Sequence, residues 1–171
     1  MISQALQDAL NKQVGEEFSA SSQYTAMAFY FEGETLPQLA GYFHAQAEEE
    51  RLHAMKFLHY LSDAGAQVIV PGSREPKNHF EDAEEVVRLA LNQELKVTDQ
   101  INKLVDLAIQ ESDHLTRQFL QWFVTEQLEE VSSMSDLLRV VERAGKTNLL
   151  LVEDFLARNP RPDAAGEAEA A

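Results

Sequence analysis

Apolar positions recur at intervals of seven along most of this chain. Leu10, Tyr24 and Phe31 fall in one series, Phe43 and Phe57 in another, Leu39 and Tyr60 in a third. Val87, Ile101 and Ala108 continue the habit. So do Phe123, Leu137 and Ala144, with Leu120, Met134 and Val141 beside them. A seven-residue interval returns to nearly the same face of an α-helix, so these series are the buried stripes of long helices. Caps and breakers suggest the ends. The first helix is expected from about Ser3 to Glu32, with Gly33 as its stop. The second starts at Thr35, where Thr35 and Gln38 have the spacing of a capping box and Pro37 falls in the tolerant first turn, and it ends near Ala64, before Gly65. The third begins near Glu81, with Asn78 as cap, and reaches about Ser112. Asp113 caps the fourth, which runs to about Ala144, before Gly145, and Thr147 caps a short fifth ending near Arg158.

Four helices of about 30 residues are each about 45 Å long. The connections after the first and third are short, so those pairs are antiparallel hairpins. Residues 66–80, with Val68-Ile69-Val70, Pro71-Gly72 and Pro76, read as extended chain. Fifteen extended residues reach about 50 Å, one helix length, so this segment can cross the bundle and make the second and third helices parallel. The fold class is therefore all-α: a four-helix bundle with one long crossover between helices two and three, plus a short fifth helix at the C-terminal end. Residues 1–158 form one domain, and the acidic, Ala-rich 159–171 has too little to bury and reads as a disordered tail.

Each stripe carries polar intruders. Glu17 sits between Leu10 and Tyr24, Glu50 between Phe43 and Phe57, Glu94 between Val87 and Ile101, and Glu130 between Phe123 and Leu137. Gln46 and His53 interrupt the Leu39 series and Gln127 the Leu120 series. Glu50 and His53, three apart, share one helix face. Singly, such residues have ordinary explanations: a Glu at the stripe edge with its head in water, or a core His or Tyr with its polar atom satisfied. All four helices carry one near the middle, however, and antiparallel pairing brings helix middles level. Four carboxylates at one depth repel by several kcal/mol even at an effective dielectric of about 20, so they protonate or take up cations. Four carboxylates and one imidazole suit two iron or manganese ions; zinc also binds such groups.

Composition narrows the field. The 171 residues are 44 % apolar, enough for one globular core. The net charge of −15 disfavours nucleic acid and anionic membrane and suits cations, although an acidic surface also serves solubility alone. Without Cys there is no disulfide, thiolate site or Cys nucleophile. Neither an export signal nor a spanning apolar run is visible, and a cytoplasmic location is expected.

Four stretches carry a family resemblance: Leu10-Asn11-Lys12-Gln13 leading to Glu17 and Tyr24; Gln46-Ala47-Glu48-Glu49-Glu50-Arg51-Leu52-His53; Glu94; and Gln121-Trp122-Phe123-Val124-Thr125-Glu126-Gln127-Leu128-Glu129-Glu130. Together they resemble the bacterial non-haem ferritins, ferritin-like diiron carboxylate proteins, over nearly the whole chain to about Arg158. The resemblance implies a ferroxidase. Glu17, Glu50 and His53 would hold one iron; Glu50 would bridge to a second, completed by Glu94 and Glu130. Gln127 would hydrogen-bond a bound oxygen species, Tyr24 would support the site and donate electrons, and Glu49, Glu126 and Glu129 would form a third, transit iron site. The reaction implied is oxidation of Fe(II) to Fe(III) by O2 or H2O2, with ferric mineral stored in a hollow homo-oligomeric cage of 24 subunits. The apolar fifth helix, with Leu149, Leu150, Leu151, Val152, Phe155 and Leu156, fits packing around a four-fold axis or folding back on its own bundle.

There are departures. Bacterioferritins carry a second Glu-x-x-His on the fourth helix, where this chain has Gln127-x-x-Glu130, and Arg51 stands where their haem-ligating Met would be, so no haem is expected. Arg117 and Leu120 fall where many ferritins line three-fold channels with acids. Glu81, Asp82, Glu84 and Glu85 offer an alternative iron entrance, but read first as a solvated first turn favoured by the helix dipole. Three other readings compete. A rubrerythrin-like peroxidase usually adds a Cys-ligated iron. A DNA-protecting miniferritin often has a basic tail. A metal-free structural bundle would gain no heat resistance from iron.

Overall fold

The computed structural model describes residues 2–160. They form five helices: α1 (Gln4–Gly33), α2 (Pro37–Asp63), α3 (Ala83–Gln110), α4 (His114–Ala144) and α5 (Leu149–Arg158). The α1/α2 and α3/α4 hairpins stack against each other, and α5 packs on α2 and α4. Among the described residues no helix is long and apolar enough to cross a membrane. The expected disordered tail lies outside the described residues, apart from its first two positions.

Three helix ends share one closure. The N–H of Leu36 donates to Phe31 O at 3.0 Å, that of Ala66 to Leu61 O at 2.9 Å, and that of Asp113 to Ala108 O at 2.9 Å. In each case the preceding residue is left-handed: Thr35 (φ 60°), Gly65 (φ 68°) and Ser112 (φ 56°). This six-to-one bond satisfies a terminal carbonyl that the helix leaves open. Gly33 is thus the last residue of α1 and not its stop; Thr35 makes the turn.

Several caps differ from the local reading. Asp113 does cap α4, accepting from Thr116 N at 2.9 Å. The Thr35–Gln38 box does not form, because Thr35 is used in the turn and Leu36 occupies the cap position without a side-chain bond. The start of α2 is capped from α5: the Glu153 carboxylate accepts from Gln38 N at 2.8 Å and Leu39 N at 2.9 Å. Asp82 caps α3 through Glu85 N, while Asn78 donates to Pro76 O instead. α5 begins after Asn148, with no side-chain cap from Thr147 or Asn148.

The crossover runs along α1 and is held by side chains from one stripe of that helix. Asn11 accepts from Ile69 N at 2.7 Å and donates to Gln67 O at 2.9 Å. Ser19 Oγ accepts from Arg74 N at 3.0 Å, and Gln23 exchanges bonds with Lys77 N and O. Between them Gly15 lies under Pro71: a Cβ there would come within 2.8 Å of the proline Cγ. Extended chain has no partners of its own, so this stripe supplies them.

Two apolar clusters fill the bundle. One, with Phe31, Leu39, Phe43, Val86, Val87 and Leu137, receives Val152 and Leu156 from α5. The other, at the opposite end, contains Leu6, Leu10, Phe57, Leu61, Ile101 and Phe123. α5 therefore folds onto its own bundle through Val152, Glu153 and Leu156, yet leaves Leu150, Leu151 and Phe155 exposed.

Candidate metal centre

Between the apolar clusters lies a polar layer to which all four long helices contribute. Glu17 comes from α1, Glu50 and His53 from α2, Glu94 from α3, and Gln127 and Glu130 from α4. All are buried, Glu17, Glu50 and Glu94 completely. Glu17, Glu50 and His53 each offer a ligand atom within 4.8 Å of the others. A second group, Glu49, His53 and Glu126, meets the same distance, so His53 belongs to both. Glu129 is exposed and lies in neither group.

Amides position the carboxylates. Gln13 Nε2 donates to Glu17 Oε1 at 2.8 Å, and Gln46 Nε2 to Glu130 Oε2 at 3.0 Å. Tyr24 donates its hydroxyl hydrogen to Glu94 Oε1. Gln127 Nε2 lies 3.4 Å from Glu94 Oε2, while its Oε1 accepts from Thr98 Oγ1 at 2.8 Å. Gln13, Gln46 and Thr98 were not assigned roles from sequence. Gln13 stands four before Glu17, the spacing at which side chains meet on a helix, so that pair was open to inspection. The Gln46–Glu130 and Thr98–Gln127 contacts cross between helices and have no such local sign.

The carboxylates nevertheless remain under-compensated. Glu17 Oε2 and both oxygens of Glu50 are buried without a hydrogen-bond partner. His53 Nδ1 approaches Glu50 Oε2 only to 3.5 Å, beyond good hydrogen-bond length. Burial pushes the Glu50 pKa well above the usual carboxylate range, and the charges of Glu94 and Glu17 add to the rise. Burial, then Glu130, raises Glu94 to about 8, against the opposing bond from Tyr24. Burial, followed by the charge of Glu94, raises Tyr24 well above its ordinary value, so it stays a neutral hydroxyl. Unpartnered buried acceptors cost about 1–3 kcal/mol each. Oxygen atoms aimed at a shared space, with an imidazole beside them, are what a hard or borderline divalent cation needs. The residues present thus fit a metal, and amides hold the flanking oxygens in place, as supports around ligands commonly do.

Comparison with known proteins agrees. Residues 7–144 match the Ferritin-like domain family. The Ferritin BfrB of Mycolicibacterium smegmatis is 48 % identical over 149 residues, covering 87 % of this chain and 82 % of that protein. A bacterial non-heme ferritin of Staphylococcus aureus is 37 % identical over 145 residues, covering 85 % and 87 % respectively. An open pore ferritin from the hyperthermophilic archaeon Archaeoglobus fulgidus superposes with a TM-score of 0.90 at 32 % identity, covering 95 % of this chain and 100 % of that one. With its crossover bundle and polar mid-layer, the chain belongs to the ferritin family of iron-storage proteins.

Proposed function

We propose that the mid-bundle layer is a ferroxidase centre that takes two Fe(II) ions as substrate and oxidises them with O2 or H2O2. The observation that carries this reading is the trio of unpartnered buried oxygens on Glu17 and Glu50 beside His53. Glu17, Glu50 and His53 hold the first iron. Glu50, with both oxygens uncommitted, serves the first and the second, and Glu94 and Glu130 complete the second. Each Fe(II) gives up one electron; together the pair reduces O2 with two protons to H2O2, or H2O2 with two protons to two waters. Hard carboxylate oxygens favour the Fe(III) product and so assist its formation.

The protein's own part is positioning and charge. Gln13 and Gln46 orient Glu17 and Glu130. Tyr24, kept protonated, steadies Glu94 and serves the site as an electron donor. Thr98 fixes the carbonyl end of Gln127, so the amide N–H side faces Glu94 and is available to an oxygen species. Burial between two apolar clusters excludes bulk water. Glu49 and Glu126, sharing His53, form a third site for iron in transit; Glu129, exposed nearby on the same helix, serves that path only by swinging inward.

The ferric product is stored as mineral in a hollow cage, which we take to be a 24-mer. The exposed Leu150, Leu151 and Phe155 on α5 support assembly, since three large apolar side chains on ten residues ask for cover. The test is oxygen uptake after anoxic Fe(II) is mixed with aerated buffer, together with particle mass. The natural protein is expected to show a fast phase of about two iron per subunit, as a pair of sites requires. Glu50→Ala should lose that phase and keep the assembled mass. An unaltered fast phase in Glu50→Ala overturns the site, and a monomer or dimer overturns storage in a cage.

A further inference from the structure

α2 and α4 run antiparallel, and one seam between them extends outward from the mid-layer. Glu49, His53 and Lys56 follow one another at four and three residues on α2; Trp122 and Glu126 are four apart on α4. Along the seam, Glu49 and Glu126 meet at His53. Next, the Trp122 ring stands edge-on to His53, with centroids 5.4 Å apart. Then the Lys56 ammonium lies 3.9 Å from the centre of the Trp122 ring. Farther along, Tyr60 stacks on Phe119 and shares a hydrogen bond with Thr116. Lys56 is partly buried, which lowers its pKa from the ordinary lysine value, while the charge of Glu126 opposes that fall.

A lysine in that position has two possible consequences. It can tether Trp122 by cation–π attraction, a matter of packing alone. It also places a positive charge in the field of Glu126, one of the two buried carboxylates of a group suited to a divalent cation. We propose that Lys56, seated on Trp122, lowers the affinity of the Glu49–His53–Glu126 group for a divalent metal and so keeps an ion there transferable. This rests on the reading of that group as a transit site. Lys56 touches no ligand-bound atom in this scheme; it acts through the field at Glu126, as a positioning residue. By Coulomb's law in a water-like dielectric, a +1 charge would have to lie within roughly 8 Å of a +2 ion to alter its affinity about fivefold.

The experiment is titration of the metal-free, full-length protein with redox-inert Zn2+. It is followed by calorimetry and by the fluorescence of Trp122, the chain's one tryptophan. The natural protein should bind two ions tightly and one weakly per subunit, with the fluorescence change tracking the weak event. Lys56→Met should tighten the weak event about fivefold and leave the tight pair unmoved, and the gain should shrink as salt rises. Lys56→Arg, which keeps the charge, should titrate like the natural protein. Lys56→Gln carries the same expectation as Lys56→Met should the latter not assemble. A weak event that does not move, a gain that ignores salt, a shift of all three ions together, or Lys56→Arg behaving like Lys56→Met would each overturn the role of Lys56. Glu126→Gln separates the two readings. If it leaves the weak event intact, no ion binds at the group and the transit site falls too; if it removes the event while Lys56→Met does nothing, only the lysine's role falls.

Discussion

Glu16 and Glu17 are adjacent in sequence and opposite in circumstance. Glu16 turns toward the crossover, where Arg74 donates to both its oxygens at 2.5 and 3.0 Å, and Lys96 and Gln100 reach it at 2.8 and 3.0 Å. The Arg74 guanidinium leads in holding its carboxyl down at about 2, against burial. Glu17 turns inward, receives one amide from Gln13, and leaves its other oxygen bare beside Glu50. The chain has cations to spare for a carboxylate that ties a strap to a helix. In the mid-layer, three carboxylate oxygens of Glu17 and Glu50 are buried with no hydrogen-bond partner. A carboxylate compensated from within the chain is structural; a set of them left bare awaits compensation from outside.

The largest expected effect tests that asymmetry by pH. Glu94, raised from 4.5 to about 8, keeps a proton in the folded state that the unfolded chain gives up. Its contribution to the metal-free protein is therefore full below about 4.5 and is lost as pH rises through about 8. Denaturant unfolding in chelator should show about 3–5 kcal/mol less stability at the upper end of that window, and Glu94→Gln should flatten the slope. A flat profile in the natural protein would remove the distinction. Glu16 should behave in the reverse sense: its contribution is present above 4.5 and lost as pH falls through about 2. Its partners Arg74 and Lys96 are more than half exposed, so solvent screening reduces the effect. Glu16→Ala should cost about 1–2 kcal/mol near neutral pH and free the crossover to exchange its amide protons faster. The smallest effect belongs to a third carboxylate, also paired within the chain. Glu153→Gln should cost about 1 kcal/mol, read as faster hydrogen exchange at the N–H groups of Gln38 and Leu39.

Much of this was legible in the sequence because the helix repeat is close to seven residues over two turns. The four intruding glutamates could be aligned by counting, and their burial follows from the apolar neighbours above and below. The crossover was legible from its length. What escaped was anything set by residues distant in the chain. Thr35 and Gln38 had the spacing of a cap, but the carboxylate that reaches α2 is Glu153. Composition points to Asn78 and Thr147 as caps, but Asn78 bonds the Pro76 carbonyl instead and α5 starts without a side-chain cap. Asn11, Ser19 and Gln23 lie eight and four apart on one face of α1, yet nothing local says that an extended segment will run across them. Glu129, three residues beyond Glu126 and one short of Glu130, is exposed where both of those are buried, a difference that residue spacing alone does not reveal.

Glu153 also imposes an order on synthesis. The second long helix gains its side-chain cap only once a residue more than a hundred positions downstream has been made. A product truncated before that point would carry all the residues of the polar layer but would lack the carboxylate that holds the first turn of α2.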